Sequence, residues 1–170
     1  MDVFKEQLVK RKPKAIDAVR RGAILLLALF IILIILVTQI LVPFLPLIFF
    51  AMAFGIMILF RRMNIEFEYI LTNADLDIDI IYGKSRRKRI FEGNVKDMEA
   101  FRPYTSNEFD HSFNAAQASL DLSSGVNHEG SYSFLYSYKG KRLKITFEPN
   151  SDMLDGIRPH LKRGTYKLER

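Results

Sequence analysis

The sequence predicts an α+β protein: an N-terminal hairpin of two apolar helices, followed by an antiparallel β meander that ends in a helix. Two observations predict this fold class. A run of 39 residues, 22–60, contains no Asp, Glu, Lys, Arg or His. After that run, apolar and polar residues alternate as they do in half-buried strands. The remaining residues, 63–170, are enough for one small domain with its own core.

The apolar run is too long for one membrane span. A straight helix of 39 residues would measure about 58 Å, roughly twice the ~30 Å hydrocarbon core of a bilayer. Pro43 and Pro46 lie in the middle of the run, and proline cannot donate to the helical hydrogen-bond ladder. The run therefore predicts a transmembrane helical hairpin with helices at about 22–41 and 45–60.

Charged residues flank the apolar run on both sides, and the connection between the helices carries none. The flanking pairs are Arg20-Arg21 and Arg61-Arg62. Positively charged flanks stay on the cytoplasmic side, so we expect both termini in the cytoplasm, residues 1–21 to form a basic cytoplasmic segment, and the protein to be a multi-pass protein of the cell (inner or plasma) membrane. A re-entrant hairpin predicts the same termini and stays open as an alternative.

The net charge of +6 is concentrated beside the helices. Residues 1–62 contain nine Lys or Arg and three Asp or Glu, whereas residues 63–170 contain sixteen of each sign. The β domain therefore lacks the net positive charge of a nucleic-acid-binding domain, and we expect no nucleic-acid partner.

The first residues allow two interpretations. Met1, Phe4 and Leu8 lie on one side of a helical wheel, with basic residues around the rest until Pro13. This pattern is typical of an amphipathic helix on the inner leaflet. A frayed basic tail is the alternative.

Small residues in the second helix have two interpretations as well. Ala51 and Gly55 are spaced four apart, as in small-xxx-small motifs that let membrane helices pack closely. They are a candidate surface for a partner helix, unless they only reflect the frequency of small residues in membrane spans.

Strands are predicted directly after the second helix. Residues 65–72 and 75–82 alternate, with a turn at Asn73-Ala74. A third strand is predicted at 86–91 and a fourth at 95–101.

The second half of the domain is less regular. Residues 102–130 are polar and predict a long loop with one strand at 118–122. Residues 131–138 and 142–148 predict a hairpin around Lys139-Gly140-Lys141. A helix follows from Asn150 or Ser151, because apolar residues recur there at helical spacing.

This layout resembles the pleckstrin-homology-like (PH-like) domain of bacterial membrane proteins. The stretches that carry the resemblance are 67–79, 86–90 and 146–150. The whole chain also resembles a family of small bacterial proteins of unknown function that have two membrane spans. The resemblance implies a PH-like half-open barrel over 63–170 and supplies no established activity. With the topology that the arginine pairs predict, this domain is expected on the cytoplasmic side.

No catalytic or metal-binding pattern is present in the sequence. Asp75, Asp77 and Asp79 are spaced like the first ligands of a calcium loop, but Ile80 and Arg86 stand where that loop needs a glycine and a bidentate acid. The chain has no cysteine and no zinc spacing, nucleophile elbow or phosphate loop. We expect a protein that is not an enzyme and has no cofactor or metal site.

The densest charge cluster of the domain lies at the turn after the second strand. It consists of Lys84, Arg86, Arg87, Lys88 and Arg89. The first two strands run out and back over similar distances, so this basic cluster should return to the membrane-proximal end of the domain. It predicts contact with anionic lipid headgroups, or else protection of a strand edge against pairing with other chains.

These observations predict a non-enzymatic, membrane-anchored binding module that presents a PH-like domain at the cytoplasmic face. Its expected partners are the lipid bilayer, anionic headgroups and another membrane protein. The alternative function is a structural or accessory subunit of a larger membrane complex.

Overall fold

The computed structural model of the chain describes residues 3–105, 111–125, 130–138 and 140–166. Two compact units are formed. A helical unit covers Pro13–Ile65. A β unit combines the chain before residue 13 with the chain from Glu66 onward.

The helical unit contains two long helices, α1 (Ala15–Thr38) and α2 (Leu45–Met63). Both are long and apolar enough to cross a membrane, judged by length and composition. Helix α1 ends where Gln39 adopts a left-handed conformation, and a 3₁₀ turn at Val42–Phe44 follows. The predicted pair of helices with a break at the prolines is therefore confirmed, although α1 begins and ends earlier than predicted.

Among its described residues, the β unit contains eight strands in two four-stranded sheets. The strands are β1 (Phe4–Lys10), β2 (Ile65–Thr72), β3 (Asp75–Tyr82), β4 (Arg86–Asn94), β5 (Ala100–Pro103), β6 (Ala118–Asp121), β7 (Tyr132–Tyr138) and β8 (Lys141–Phe147). The first sheet has the order β1-β2-β3-β4, and the second has the order β5-β7-β8-β6.

The predicted N-terminal amphipathic helix or frayed tail is wrong, because residues 4–10 form strand β1. This strand pairs antiparallel with β2, from Phe4 opposite Thr72 to Lys10 opposite Glu66. Pairing with the open edge of β2 gives a row of backbone N–H and C=O groups their hydrogen-bond partners. The three apolar residues of the predicted helix offer less stabilisation than this pairing. The β unit thus begins before the helices, whereas the sequence predicted residues 1–21 as a separate segment. Met1, the first residue of the predicted stripe, lies outside the described residues.

The side-chain amide of Gln7 joins β1 by hydrogen bonds to the segment that follows β8. Gln7 Nε2 donates to the carbonyl oxygen of Glu148 at 2.9 Å, and the Asn150 N–H donates to Gln7 Oε1 at 2.8 Å. The Lys12 N–H donates to the Ser124 carbonyl at 2.9 Å. The N-terminal segment is therefore an integral part of the β unit.

The hairpins of the first sheet follow the prediction. Asn73 has a φ of 57° in the β2–β3 turn, and Gly83 and Lys84 have φ of 58° and 59° in the β3–β4 turn. Asparagine and glycine tolerate this left-handed region best. A bulge between Ile78 and Asp79 shifts the register of β3 against β4.

The predicted fourth strand at 95–101 is wrong over its first half. Val95–Asp97 is a 3₁₀ turn, and β5 begins only at Ala100. The side chain of Asn94 accepts the Lys96 N–H at 3.0 Å, which caps the turn. The buried Val95 anchors it, so local capping outweighs the strand pattern.

The remaining strands lie close to their predicted positions, and β6 runs parallel to β8. A short helix, α3 (His111–Asn114), interrupts the predicted loop at 102–130. Residues 106–110 and 126–129 of that loop, and Lys139 of the predicted hairpin turn, lie outside the described residues.

Aromatic rings from both sheets form the core. Tyr69 packs edge-on against Phe147 with ring centroids 5.5 Å apart, and Phe91 packs similarly on Phe134 at 5.3 Å. The hydroxyl of Tyr69 donates to the Leu122 carbonyl at 2.5 Å. A fully buried polar group is therefore hydrogen-bonded, as such groups need to be.

Helix α4 (Ser151–Ile157) closes the β unit and confirms the predicted C-terminal helix. Asn150 caps it by accepting the Met153 N–H at 2.8 Å. A Cβ atom at Gly156 would lie 2.7 Å from Leu71 Cδ2. The close approach of α4 to β2 therefore leaves little room for a side chain at this position.

Candidate functional site: a polar groove on the first sheet

The first sheet has a core face and an outer face. Val9 and Phe67 are buried in the core. Because side chains alternate along a strand, their neighbours Leu8, Lys10, Glu66 and Glu68 lie on the outer face. The alternation of β1 and β2 thus places two acids and one base side by side, away from the core.

An open groove of about 420 Å³ lies on this outer face. All four strands or their turns contribute to its lining: Leu8, Lys10, Glu66, Glu68, Ile81, Lys84 and Arg87. Small-molecule sites in proteins typically measure about 300–1,000 Å³, so the groove is large enough for a small polar group. Its lining combines both signs of charge with two apolar walls.

Glu68 is the most enclosed polar residue of the groove. Its side chain is 3% exposed, and its Oε1 lies 2.8 Å from Arg87 Nη2. Its second oxygen, Oε2, is buried and has no hydrogen-bond donor among the described residues. A buried carboxylate oxygen without a donor is costly.

Burial raises the pKa of the Glu68 carboxyl above its ordinary value. The Arg87 guanidinium opposes this and lowers the pKa, while the carboxylates of Glu6 and Asp79 raise it further. A side-chain hydrogen bond with Glu6 also raises the pKa, so burial and the neighbouring acids together favour the protonated form of the Glu68 carboxyl.

The structure does not keep the predicted basic cluster together as one free patch. Arg87 pairs with Glu68, and Arg89 pairs with Asp77 at 2.8 Å and with Asp79 at 2.9 Å. The other three members, Lys84, Arg86 and Lys88, are exposed and have no ion-pair partner among the described residues. Two of the five residues of the predicted cluster therefore form ion pairs within the sheet.

Aspartates that alternate with apolar residues, as in β3, are typical of a solvated strand face. Asp79 is instead 4% exposed and bound to Arg89 Nε. Burial raises the pKa of Asp77, and Arg89 opposes that shift. The sequence missed this Asp77–Arg89–Asp79 cluster because the bulge between Ile78 and Asp79 sets the cross-strand register. Within the described ranges, no group of three or more His, Asp and Glu side chains fits a metal ion.

The arginine pairs predicted as topology anchors lie at one end of the helical unit. Arg20 and Arg21 are in the second turn of α1, and Arg61 and Arg62 are in the last turn of α2. The Arg21 guanidinium lies 5.7 Å from the ring centroid of Phe60, and its Nη2 donates to Asn64 Oδ1 at 3.4 Å. The charged ends of the two helices therefore meet.

The predicted packing pair of α2 makes no close contact with α1. Ala51 is exposed, and a Cβ atom at Gly55 would meet nothing within 4 Å. Their predicted role toward a partner helix stays a prediction.

A family model described as bacterial PH-like domain (DUF6106) matches residues 1–167. This range includes strand β1, both apolar helices and both sheets. No curated protein and no solved structure matches the chain. The predicted resemblance to small two-helix proteins with a PH-like domain is confirmed by the family match. The chain therefore belongs to the bacterial PH-like domain family.

Proposed function

We propose that the protein is a non-enzymatic binding module that two transmembrane helices anchor in the cell membrane, with its PH-like domain at the cytoplasmic face. The observation that carries the proposal is the joining of two membrane-length apolar helices to one PH-like domain. The chain enters the helices from β1 and leaves them into β2, and Lys10 and Glu66 are partners in that strand pair. Neighbouring strands therefore connect the domain to both helices.

The charge distribution supports the cytoplasmic side. Both arginine pairs are at the end of the hairpin that leads to the β unit, and residues 39–44 between the helices carry no charge. Cationic flanks favour the cytoplasmic side of a membrane. A hairpin of this kind has its turn outside and its domain inside.

The groove and the basic cluster belong to the end of the sheet that is nearest the helices along the chain. Lys10 precedes the first residue of α1 by five positions, and Glu66 follows the last residue of α2 by three. Lys84, from the β3–β4 turn, lines the same groove as these two residues. Three residues span at most about 11 Å, which supports a position near the headgroups when the helices are inserted.

The exposed basic residues Lys84, Arg86 and Lys88 give this end of the domain a contact surface for an anionic leaflet. Each Lys or Arg near such a surface contributes about 1 kcal/mol, and salt screens the attraction. Arg87 and Arg89 contribute less, since carboxylates of the sheet pair with them. The surface orients the domain on the membrane rather than anchoring it.

The experiment uses the full chain in lipid nanodiscs, with an environment-sensitive dye attached through a Ser85→Cys substitution in the β3–β4 turn. Anionic nanodiscs should shift the dye emission to the blue relative to neutral nanodiscs, and salt should reverse the shift. Arg86→Gln with Lys88→Gln should remove the shift. Lys96→Gln with Lys141→Gln, an equal charge change at exposed positions elsewhere, should keep it. If the dye emission at low salt is the same in anionic and neutral nanodiscs, the proposed contact with the anionic leaflet is wrong.

Gentle detergent extraction tests the binding module against the alternative function. The module should purify without a stoichiometric membrane partner. A membrane protein that copurifies at a fixed ratio, and is lost when Ala51 and Gly55 are replaced by Leu, would instead establish the accessory subunit of a complex.

A further inference from the structure

We propose that the groove on the first sheet binds a zwitterionic aminophosphate, the chemistry of a phosphoethanolamine headgroup, with its ammonium on Glu68 and its phosphate on Lys10 and Lys84. The inference deepens the proposed function and rests on it, because membrane anchoring brings the groove to such headgroups. Two parts of the groove support this inference. One is a buried hydrogen-bond acceptor, and the other is an exposed pair of cationic side chains.

The acceptor half is defined by Glu68. Its Oε1 is taken by Arg87, whereas Oε2 is buried with no donor from the described chain. A primary ammonium carries three N–H donors, and a charge-assisted hydrogen bond to Oε2 would remove the cost of leaving it unpaired. Glu66 lines the same groove and adds a second carboxylate for the remaining donors.

The cationic half is defined by Lys10 and Lys84. Both are exposed, line the groove and have no ion-pair partner among the described residues. The side chain of Arg87 is 57% exposed, so its guanidinium also reaches the open side. A phosphate there meets up to three cations. Because Glu68 Oε2 is buried, the ammonium reaches it only when the more exposed side chain of Arg87 moves aside.

The apolar walls fit the part of the ligand between the two charges. Leu8 and Ile81 line the groove and offer apolar surface to the two methylene groups of an ethanolamine. A simple anion would leave Glu68 Oε2 unpaired, and a simple cation would leave Lys10 and Lys84 unused. A ligand with both charges satisfies both halves.

One explanation without a ligand is a proton shared between Glu68 and Glu6, which lies nearby on β1. The carboxylate of Glu6 raises the pKa of Glu68, and a shared proton would give Oε2 its hydrogen bond. The proposal predicts that binding depends on an N–H donor of the ligand. A shared proton predicts no such dependence.

The experiment compares two lipids that share the phosphate and the acyl chains. The full chain in detergent is incubated with phosphatidylethanolamine or with phosphatidylcholine, whose quaternary ammonium has no N–H donor. Native mass spectrometry then measures lipid retention. We expect phosphatidylethanolamine to be retained about tenfold better, the difference typical of one charge-assisted hydrogen bond. Glu68→Gln should abolish the preference.

Controls separate binding from folding. Glu92→Gln makes the same charge change at an exposed position of the same sheet and should keep the preference. Circular dichroism checks that each variant is folded. If Glu68→Gln does not fold, the paired variant Lys10→Gln and Lys84→Gln should reduce retention of both lipids.

A third arm identifies the source of the ligand. If soluble glycerophosphoethanolamine displaces the lipid, the site binds the free headgroup as well. If it does not displace the lipid, the site binds the headgroup only as part of a lipid. Equal retention of the two lipids by the wild-type protein overturns the proposal. That result would leave membrane anchoring intact, because anchoring is measured separately by labelling the hairpin.

Discussion

Arg87 Nη2 lies 2.8 Å from Oε1 of Glu68, while Oε2 of the same carboxylate is buried without a donor from the described residues. Glu68 is therefore half satisfied. This asymmetry is unusual, since most buried polar atoms in folded proteins have partners. Asp77 shows the same asymmetry on the same sheet, since its Oδ2 binds Arg89 while its Oδ1 is buried without a partner among the described residues.

The raised pKa of Glu68 predicts a pH effect on stability. Burial favours the protonated carboxyl, so the folded protein binds this proton more tightly than the unfolded chain, whose Glu pKa is about 4.5. The stabilisation is fully present below that pH and is lost as the pH rises through the higher folded pKa. Melting curves between pH 4 and 8 should show the wild-type Tm falling relative to Glu68→Gln over this window. Parallel Tm profiles would contradict the prediction.

Gly93→Ala should destabilise the β unit by about 1–3 kcal/mol, the usual cost of overpacking. The new Cβ atom would lie 2.7 Å from Tyr136 Cζ and 2.8 Å from Phe91 Cζ. These two rings pack edge-on with centroids 5.1 Å apart, and Phe91 is buried, so its ring has little room to move. Denaturant unfolding measures the loss. The double variant Gly93→Ala with Tyr136→Ala should lose less free energy of unfolding than the sum of the losses in the two single variants. If the two losses add exactly, the clash is not with Tyr136.

Arg89→Gln should destabilise the protein by about 1–2 kcal/mol, because it leaves the buried Asp79 carboxylate without its ion pair. Arg86→Gln, at an exposed position of the same strand with no ion-pair partner among the described residues, is the matched control and should change the free energy of unfolding by less than about 0.5 kcal/mol. Equal effects of both changes would show that the Asp77–Arg89–Asp79 cluster adds no stability.

The sequence predicted the elements whose signals are local. The helices follow from length and apolarity, and β2, β3 and α4 follow from their periodicity and from turn or capping residues such as Asn73 and Asn150. Strand β1 escaped prediction because its partner, β2, lies more than fifty residues later in the chain. The groove escaped for the same reason: Lys10, Glu68 and Arg87 meet only through sheet register, which no local pattern encodes.

Strand β1 predicts how the domain can be produced without its helices. Residues 63–170 alone lack β1 and the Gln7 hydrogen bonds, so they should aggregate through the open edge of β2. Residues 3–12 joined to residue 66 onward by a short Gly/Ser linker should give a soluble, cooperatively melting domain, since Lys10 and Glu66 are already neighbours. Circular dichroism and size-exclusion chromatography measure both. Equal behaviour of the two chains would show that β1 is dispensable.

The location of the PH-like domain relative to the membrane can be measured by thiol labelling. Because the sequence contains no cysteine, a single introduced cysteine gives an unambiguous signal. Leu41→Cys places a thiol between the helices, and Ser85→Cys places one in the β3–β4 turn of the domain. A membrane-impermeant maleimide is applied to intact bacterial cells. For a membrane-anchored module with a cytoplasmic domain, we expect the Leu41→Cys protein to be labelled at once and the Ser85→Cys protein only after the membrane is permeabilised. Labelling of the Ser85→Cys protein in intact cells would contradict this topology.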